Sequence, residues 1–341
     1  MADGLSLLER LERDVVLAAE GYLFELERRG YLQSGPFVPE VVLDYPDAVR
    51  ELHREFLRAG AEVMLAFTYY GHREKLRMIG REDDLEPLNR QALQIAKQAA
   101  AEGDALVAGN ICNTWAYDPD DPDASGEVVR GMYREQVQWA VEEGVDFVIS
   151  ETNDYLGEAL IGVEVIREFG LPAVVTFAST GEETIDGFSF DEACKRVEDA
   201  GADVVGMNCS RGPATMLPIL GRIRAAVSCP VAAQPVPYRT TPEEPTFVAL
   251  HADDGSRAFP VALDPFVLTR FEMADFALAA RDLGVGYIGI CCGGAPHHVR
   301  SMAEALGRTV PASRYSPAME LHPVLGENVK ERDERFTGWK D

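Results

Sequence analysis

Three cysteines of this 341-residue chain stand where strand-like segments end, and together they could bind a metal ion. Cys209 follows the apolar segment 203–208, and the adjacent pair Cys291 and Cys292 follows the segment 286–290. Cysteine thiolates are preferred zinc ligands, and three of them leave one tetrahedral position open, as in catalytic zinc sites. Buried cysteine is also common without any function. The cysteine pair alone therefore favours simple packing. With the third cysteine, a metal site is as well supported as packing.

Acidic and amide residues occupy equivalent positions after other strand-like segments. Glu151 ends an apolar segment, so its carboxylate either faces a ligand or caps the following helix, and we favour the ligand. Glu20 and Gly21 follow the first such segment, and Asn208 directly precedes the first of the three cysteines. We expect these residues to contact a substrate.

Aromatic and histidine residues near the same segments have less specific roles. Phe37 and Tyr70 could enclose a cation through cation–π contacts. Tyr69 belongs to the same aromatic set, but ordinary packing is the preferred interpretation for it. His297 and His298 follow the cysteine pair, and we expect them to cap the last helix, although one of them could contact a substrate.

These candidates depend on eight short segments rich in β-branched residues, which alternate with longer amphipathic segments. The strand candidates are residues 14–19, 61–67, 105–111, 146–150, 172–178, 203–208, 230–235 and 286–290. They are apolar throughout, as parallel strands buried on both faces are. A doubly wound sheet shares this pattern. Eight units without a glycine-rich nucleotide motif after the first strand favour an α/β fold of the (β/α)₈ TIM-barrel type, in one domain spanning 1–311.

Helical patterns fill the intervals between the strand candidates. Seven of them begin near Leu85, Glu127, Leu156, Asp191, Ala214, Phe271 and Pro296. An earlier helix, which precedes the second strand, places Val49, Leu52, Phe56 and Ala59 on one stripe, with Pro46 near its start and Gly60 at its end.

The barrel places all these candidates together, because active sites of this fold lie at the C-terminal ends of the strands. Strands six and eight are separated by one strand, so they lie about 10 Å apart. Thiolates from both strands could therefore reach one ion. The Gly293–Gly294 pair permits the irregular backbone that two adjacent inward-facing sulfurs require.

Two segments fall outside the repeat. Residues 236–268 contain several prolines and the polar stretch HADDGSR, and we predict a long loop after strand seven. Residues 312–341 form a charged C-terminal tail. We interpret this tail as loosely ordered or as an arm that packs on the surface or on a second subunit, so a homo-oligomer is one expected assembly.

The net charge restricts the classes of partner that the protein is expected to bind. Acidic residues outnumber basic ones 57 to 32, a net charge of -25, and such a surface repels nucleic acid and anionic membranes. The sequence has neither a signal-peptide core nor a membrane-length apolar run, so we predict a cytoplasmic protein with reduced thiols. We assign Cys194 and Cys229 to structure, and Cys112 to the surroundings of the site.

The two cysteine motifs, GMNCS at 206–210 and GICCGG at 289–294, resemble those of the homocysteine S-methyltransferase family, with its betaine-using branch as the nearer match. Further similar segments are ELHREFLRAG (51–60), FTYYGHREKL (67–76), EGDALVAGN (102–110), SET (150–152), AGADVVGMNC (200–209) and LGVGYIGICCG (283–293). The likeness extends to about residue 310.

The resemblance implies a Zn²⁺ ion held by Cys209, Cys291 and Cys292, with a homocysteine thiolate at its fourth position. That thiolate would take a methyl group from a betaine-like or other onium donor, giving methionine. Glu151 matches the acid that holds the amino group of homocysteine, and Tyr70 matches an aromatic position that contacts betaine.

Four departures from the family pattern bear on the substrates and the assembly. Ala19-Glu20-Gly21 replaces the usual Asp-Gly-Gly motif, with Glu20 one position later than the acid. Phe37 stands in place of a tryptophan that contacts the donor, and Thr152 in place of a tyrosine. The C-terminal arm is also shorter.

Three other functions stay open at this point. The first is the same chemistry with S-methylmethionine or another sulfonium as donor, or with a different small thiol as acceptor. The second is a zinc hydrolase, which all-thiolate ligation and the absence of an HExxH motif disfavour. The third is a metal-binding barrel without catalytic activity.

Overall fold

Eight parallel strands form one curved sheet in the computed structural model, which describes residues 4–322 and 326. The strands are β1 (Val16–Leu17), β2 (Val63–Leu65), β3 (Leu106–Cys112), β4 (Phe147–Asn153), β5 (Ala173–Phe177), β6 (Val204–Asn208), β7 (Val231–Gln234) and β8 (Tyr287–Ile288). Their order in the sheet is β1-β8-β7-β6-β5-β4-β3-β2, with every adjacent pair parallel. This arrangement confirms the predicted (β/α)₈ barrel.

Glu62 bridges the remaining gap between β1 and β2. Its amide donates to the Leu17 carbonyl oxygen at 2.7 Å, and its carboxylate accepts from the Leu17 amide at 2.8 Å. Arg308 pairs with the same carboxylate. The barrel is therefore nearly closed, and the Glu62 side chain supplies part of the hydrogen bonding between β1 and β2.

Twelve α-helices are present in the described residues. They are α1 (Leu7–Arg13), α2 (Tyr22–Arg28), α3 (Val41–Asp44), α4 (Pro46–Ala59), α5 (Arg73–Met78), α6 (Leu85–Ala100), α7 (Pro122–Glu143), α8 (Leu156–Glu168), α9 (Phe190–Asp199), α10 (Pro213–Ala226), α11 (Arg270–Asp282) and α12 (Pro296–Ala305). Eight of them, α4 and α6 to α12, alternate with the strands and cover the outside of the barrel.

The predicted helix α4 illustrates why these segments fold as they do. Its apolar stripe is fully buried, which contributes about 1.5–3 kcal/mol for each large side chain. Pro46 occupies the first turn, where its missing N–H is not needed. Gly60 ends the helix with a φ of 107° and packs against Val310, so a side chain there would be strained and crowded.

Element boundaries differ from the sequence predictions at two places that matter. β4 continues three residues beyond Ser150, so Glu151 and Thr152 lie within the strand and not after it. α7 begins at Pro122, five residues before the predicted Glu127, because the Asp121 side chain accepts a hydrogen bond from the Ala124 amide and caps the helix.

The predicted segment 236–268 after β7 is a loop with two short 3₁₀ helices, Phe247–Ala249 and Asp264–Phe266. Tyr238 and Phe247 from this loop are buried on the barrel. Of the predicted tail, residues 312–322 and 326 are described; they include the end of the 3₁₀ helix Pro311–Tyr315. The other tail residues lie outside the described part.

Among the described residues, every helix is too short or too polar to cross a membrane. The cytoplasmic location and the homo-oligomer stay predictions.

Candidate metal and substrate site

The three predicted metal ligands come together at the C-terminal rim of the barrel. The sulfur atoms of Cys209, Cys291 and Cys292 all lie within 4.8 Å of one another. Cys209 directly follows β6 and is 7% exposed, while Cys291, in the turn after β8, is 3% exposed. Three sulfurs this close can bind one tetrahedral ion at Zn–S distances of about 2.3 Å.

Two irregular turns aim these sulfurs at one point. Cys209 and Ser210 both have positive φ, 52° and 53°, and the Cys209 amide donates to the Gln234 carbonyl oxygen at 2.8 Å. The second turn contains Gly293, with a φ of 87°, where a side chain would lie 2.6 Å from the Tyr238 ring. Glycine therefore provides the bend that allows two adjacent cysteines to face the same centre.

The thiols of Cys209, Cys291 and Cys292 are hydrogen-bonded to one another, and this arrangement favours the binding of a cation. The pKa of the Cys209 thiol is well below its usual range, because the Cys291 and Cys292 thiols donate hydrogen bonds to its sulfur. The same bonds to Cys209 hold the pKa values of the other two thiols well above their usual range. A divalent cation would take the place of the shared protons, so this donor set fits a thiophilic metal ion.

Two buried carboxylates lie beside the cysteines. Carboxylate oxygens of Glu20 and Glu151 and the sulfur of Cys291 also lie within 4.8 Å of one another. Glu20 is 6% exposed, and neither of its oxygens has a hydrogen-bond partner. Burial, and then the charge of Glu151, raise the pKa of Glu20 well above its usual range. Neither acid forms an ion pair with another described residue, so the two buried carboxylates are suited to a positively charged group.

Asn208 connects Glu151 to the metal-site cysteines. Its side-chain amide donates to Glu151 at 2.9 Å and contacts the sulfur of Cys291 at 3.9 Å, while its oxygen accepts from the Thr152 amide at 2.9 Å. The Asn110 amide donates to the other oxygen of Glu151. Burial raises the pKa of Glu151 to about 7 despite these bonds. These hydrogen bonds therefore hold the Glu151 carboxylate in one orientation, and its pKa lies near neutral pH.

Gly21 packs directly against the turn that carries the cysteine pair. A Cβ atom at this position would stand 2.9 Å from the carbonyl carbon of Gly294 and closer still to its oxygen. Only glycine permits this approach, since real Cβ contacts are essentially never shorter than 3.0 Å. Gly21 thus supports the cysteine turn, whereas the sequence assigned it to substrate binding, a role that stays a prediction.

A cavity of about 360 Å³ joins these groups, and it lies next to all three cysteines as well as Glu20, Glu151 and Thr152. Six further residues line it that the sequence did not assign to the site: Tyr22, Leu23, Leu65, Ala66, Phe67 and Tyr69. Four of them lie in or just beyond β2, and Tyr22 and Leu23 begin α2, the helix that follows β1. The rule that barrel sites form at strand ends would have found most of them.

The predicted aromatic residues lie away from this cavity wall. Tyr70 stacks on Tyr69 with ring centroids 4.1 Å apart, and the Lys75 ammonium lies over both the Tyr70 and Trp115 rings at 4.2 Å. Phe37 packs against Phe24 of α2 and against Phe259 of the loop after β7. Their predicted contacts with a donor stay predictions.

Backbone strain marks the same positions. Within the described residues, six non-glycine residues have positive φ: Phe37, Tyr70, Trp115, Thr152, Cys209 and Ser210. Four of these six were predicted site residues. Positive φ costs about 1–3 kcal/mol at such residues and concentrates at functional sites.

Of the remaining cysteines and histidines, His298 caps the last helix as predicted, whereas no capping bond is seen for His297 in the described part of the chain. Cys112 accepts a hydrogen bond from the Tyr70 amide at 3.3 Å. Cys194 is buried in α9, and Cys229 precedes β7; neither joins a metal-capable cluster among the described residues. His298 caps α12 by accepting a hydrogen bond from the Ala295 amide at 3.2 Å.

Comparison with known proteins is consistent with this geometry. The sequence profile described as Homocysteine S-methyltransferase matches residues 20–306. A betaine–homocysteine S-methyltransferase 1 of Xenopus laevis is 40% identical over 95% of this chain and 80% of its own length. An S-methylmethionine–homocysteine S-methyltransferase of Pongo abelii is 36% identical over 93% of this chain and 87% of its own length.

Among solved structures, the metallated form of the Escherichia coli homocysteine methyltransferase MmuM superposes with a TM-score of 0.67 at 20% identity. The match covers 86% of this chain and 96% of that one. At this identity the superposition supports the barrel fold alone. On the profile match and the sequence relatives, the chain is a methyltransferase that belongs to the homocysteine S-methyltransferase family.

Proposed function

We propose that the enzyme moves a methyl group from an onium donor to the sulfur of homocysteine, with a zinc ion held by Cys209, Cys291 and Cys292. One observation carries this proposal: three clustered thiols and two buried, closely spaced carboxylates line a single cavity. Homocysteine carries both a thiol and an ammonium group. The cavity therefore offers a partner for each end of the acceptor.

The acceptor would be held by its ammonium group between Glu20 and Glu151. Both carboxylates are buried, so their interaction with a cation is little weakened by solvent. Asn110 and Asn208 fix the orientation of Glu151. Glu20 would take the place of the acid in the family's Asp-Gly-Gly motif, since its carboxylate lies within 4.8 Å of that of Glu151 although its sequence position is shifted by one.

A zinc ion at the three cysteines would act as a Lewis acid and keep the acceptor sulfur in its nucleophilic thiolate form at neutral pH. The protein residues then orient the two substrates and exclude water. Tyr22, Phe67 and Tyr69 supply an aromatic wall, which attracts a cationic donor more than its neutral product.

The transfer itself is a displacement at the methyl carbon. The new S–C bond forms as the bond between the methyl carbon and the onium nitrogen breaks, and that electron pair stays on nitrogen. With a betaine-like donor the products are methionine and a neutral tertiary amine nitrogen. The same balance holds for a sulfonium donor, which leaves a thioether.

We favour a betaine-like donor, with S-methylmethionine as the second candidate. Betaine and S-methylmethionine are the donors named in relatives of 40% and 36% identity, respectively. Phe37 and Thr152 both depart from the betaine-using pattern. Phe37 keeps an aromatic ring at its position, whereas Thr152 removes one.

The decisive assay combines metal removal with a donor panel. Reduced protein is stripped with a chelator, reloaded with zinc, and assayed with homocysteine and betaine, S-methylmethionine or a dimethylsulfonium donor, with methionine measured by mass spectrometry. Zinc-dependent methionine formation is expected, together with its loss in Cys209→Ala. Cys229→Ala is the matched control, because that half-buried cysteine lies outside the cluster.

Two results would overturn the proposal. One is full activity in chelated protein or in Cys209→Ala. The other is zinc-dependent hydrolysis of ester or amide substrates without methyl transfer from any donor, which would favour the hydrolase.

A further inference from the structure

A second cavity opens on the same rim of the barrel, above the ends of β3 and β4. It has a volume of about 560 Å³ and is lined by Asn113, Trp115, Tyr117, Asp154, Tyr155 and Glu158, together with one aliphatic side chain. None of these residues lines the cysteine cavity. The roles assigned above to the metal and the acceptor therefore leave this cavity unexplained.

One residue of the cavity wall carries an unpartnered acceptor. Asn113 is 6% exposed, and its side-chain amide donates to the Asp154 carboxylate at 2.8 Å. This bond fixes the orientation of the amide, because a carboxylate accepts and the Asn113 nitrogen must donate. The Asn113 oxygen is then left buried without a hydrogen-bond partner. A buried acceptor of this kind is destabilising by about 1–3 kcal/mol until it meets a donor.

Two acidic residues of the cavity wall also favour a positively charged ligand. Neither Asp154 nor Glu158 forms an ion pair within the described part of the chain, and no lysine, arginine or histidine from that part lines the cavity. Glu158 is 1% exposed and accepts hydrogen bonds from the Thr114 amide and hydroxyl at 2.8 Å and 2.5 Å. Burial raises the pKa of Asp154 to about 7.

Aromatic rings form the rest of the wall. The rings of Tyr117 and Tyr155 lie 5.4 Å apart, and Trp115 stands beside them. Trp115 is 67% exposed and has a φ of 65°, so a large apolar ring is held towards solvent by a strained backbone. Aromatic faces beside carboxylates are the usual surroundings of a bound organic cation.

We propose that this cavity is a binding site for a protonated alkylamine. The ammonium N–H groups would donate to the Asn113 oxygen and the Asp154 carboxylate, and the alkyl part would lie on Trp115, Tyr117 and Tyr155. A fully alkylated cation has no N–H for the Asn113 oxygen, so it binds more weakly. The site is separate from the proposed methyl transfer and does not depend on the metal ion.

The test follows Trp115 directly while the intact protein is titrated with n-butylammonium. Protein labelled with 5-fluorotryptophan gives a ¹⁹F signal for each of its three tryptophans, and Trp115→Phe assigns the relevant one. A saturable shift of the Trp115 signal is expected, with the Trp139 signal unchanged. Asp154→Asn keeps a hydrogen-bond acceptor but removes the charge, so it should weaken binding at least tenfold. Asp253→Asn, at an exposed acid of the loop after β7, should bind like the unmodified protein.

Further probes make the proposal falsifiable even if Asp154→Asn unfolds. Asn113→Ala should also weaken n-butylammonium, while tetramethylammonium should bind less tightly than n-butylammonium to the unmodified protein. Equal shifts with n-butanol would mean a merely apolar groove and would overturn the proposal. Unchanged affinity in both Asp154→Asn and Asn113→Ala, or no saturable shift at millimolar n-butylammonium, would also overturn it.

Discussion

Gly21 and Gly294 touch through their backbones at the point where the first and last strands of the barrel meet. A single methyl group on Gly21 would collide with the Gly294 carbonyl group. Since Gly294 ends the turn that carries Cys291 and Cys292, this contact links the motif after β1 to the geometry of the metal ligands.

Gly21→Ala should therefore lose metal ions although residue 21 is not itself a ligand. We expect zinc affinity or activity to fall about 10- to 100-fold, the usual effect of disturbing a residue that supports metal ligands. Zinc content after dialysis against a weak chelator measures this. Gly131→Ala is the control, because that exposed glycine in α7 has open space around its Cα. Equal zinc retention in both variants would contradict the supporting role of Gly21.

Glu151→Gln should discriminate between acceptors with and without an amino group. The variant keeps the shape of the side chain but removes the charge that would face the ammonium group. We expect the KM for homocysteine to rise about 10- to 100-fold, equivalent to about 1.5–3 kcal/mol for a charge-assisted hydrogen bond. The KM for a thiol acid of the same length without the amino group should rise much less. Equal losses for both thiols would show that Glu151 does not hold the ammonium group.

The pH dependence of kcat/KM should carry the ionisation of Glu151. Its pKa in the free enzyme is raised to about 7 by burial, and only the ionised carboxylate attracts the ammonium group. Below that pH the carboxylate is protonated, so kcat/KM for homocysteine should fall by up to tenfold per pH unit. Glu151→Gln should lack this decline. A decline that persists in the variant would have to come from another group.

His53 should make the fold sensitive to acid. It is fully buried in α4 beside the Tyr22 ring, neither ring nitrogen has a partner, and burial lowers its pKa from 6.5 to about 3. Between these values the unfolded chain binds one more proton than the folded chain. This histidine therefore lowers the free energy of unfolding by about 1.4 kcal/mol per pH unit as the pH falls below 6.5.

His53→Leu removes that penalty. Its free energy of unfolding relative to the unmodified protein should rise by about 2 kcal/mol between pH 7.5 and pH 5, measured by urea denaturation. His251→Gln, at an exposed histidine that pairs with Glu244, is the control variant. A constant difference between His53→Leu and the unmodified protein across this range would contradict the neutral, buried state of His53.

The fold could be predicted because its signals are local. Each strand is a short β-branched run, and α4 shows its stripe, its starting proline and its ending glycine within one segment. The cysteine cluster could also be predicted, since the barrel brings the ends of β6 and β8 to one rim. The start of α7 was missed although its signal, Asp121 before Pro122, is present in the sequence.

Side-chain directions in irregular backbone could not be predicted in the same way. Tyr70 has a φ of 59°, which breaks the alternation of a strand, and it is Tyr69 that lines the cavity. Phe37 packs against Phe259 of the loop after β7, and Gly21 packs against Gly294 at the other end of the barrel domain. Such contacts depend on tertiary packing between distant segments.

Zinc K-edge X-ray absorption with and without homocysteine tests the proposed zinc–thiolate site, because it counts the sulfur atoms around the metal ion. The free enzyme should show three sulfur neighbours at about 2.3 Å, from Cys209, Cys291 and Cys292, and the homocysteine complex should show four. A sulfur count that does not increase on adding homocysteine, or fewer than three sulfurs in the free enzyme, would contradict the account.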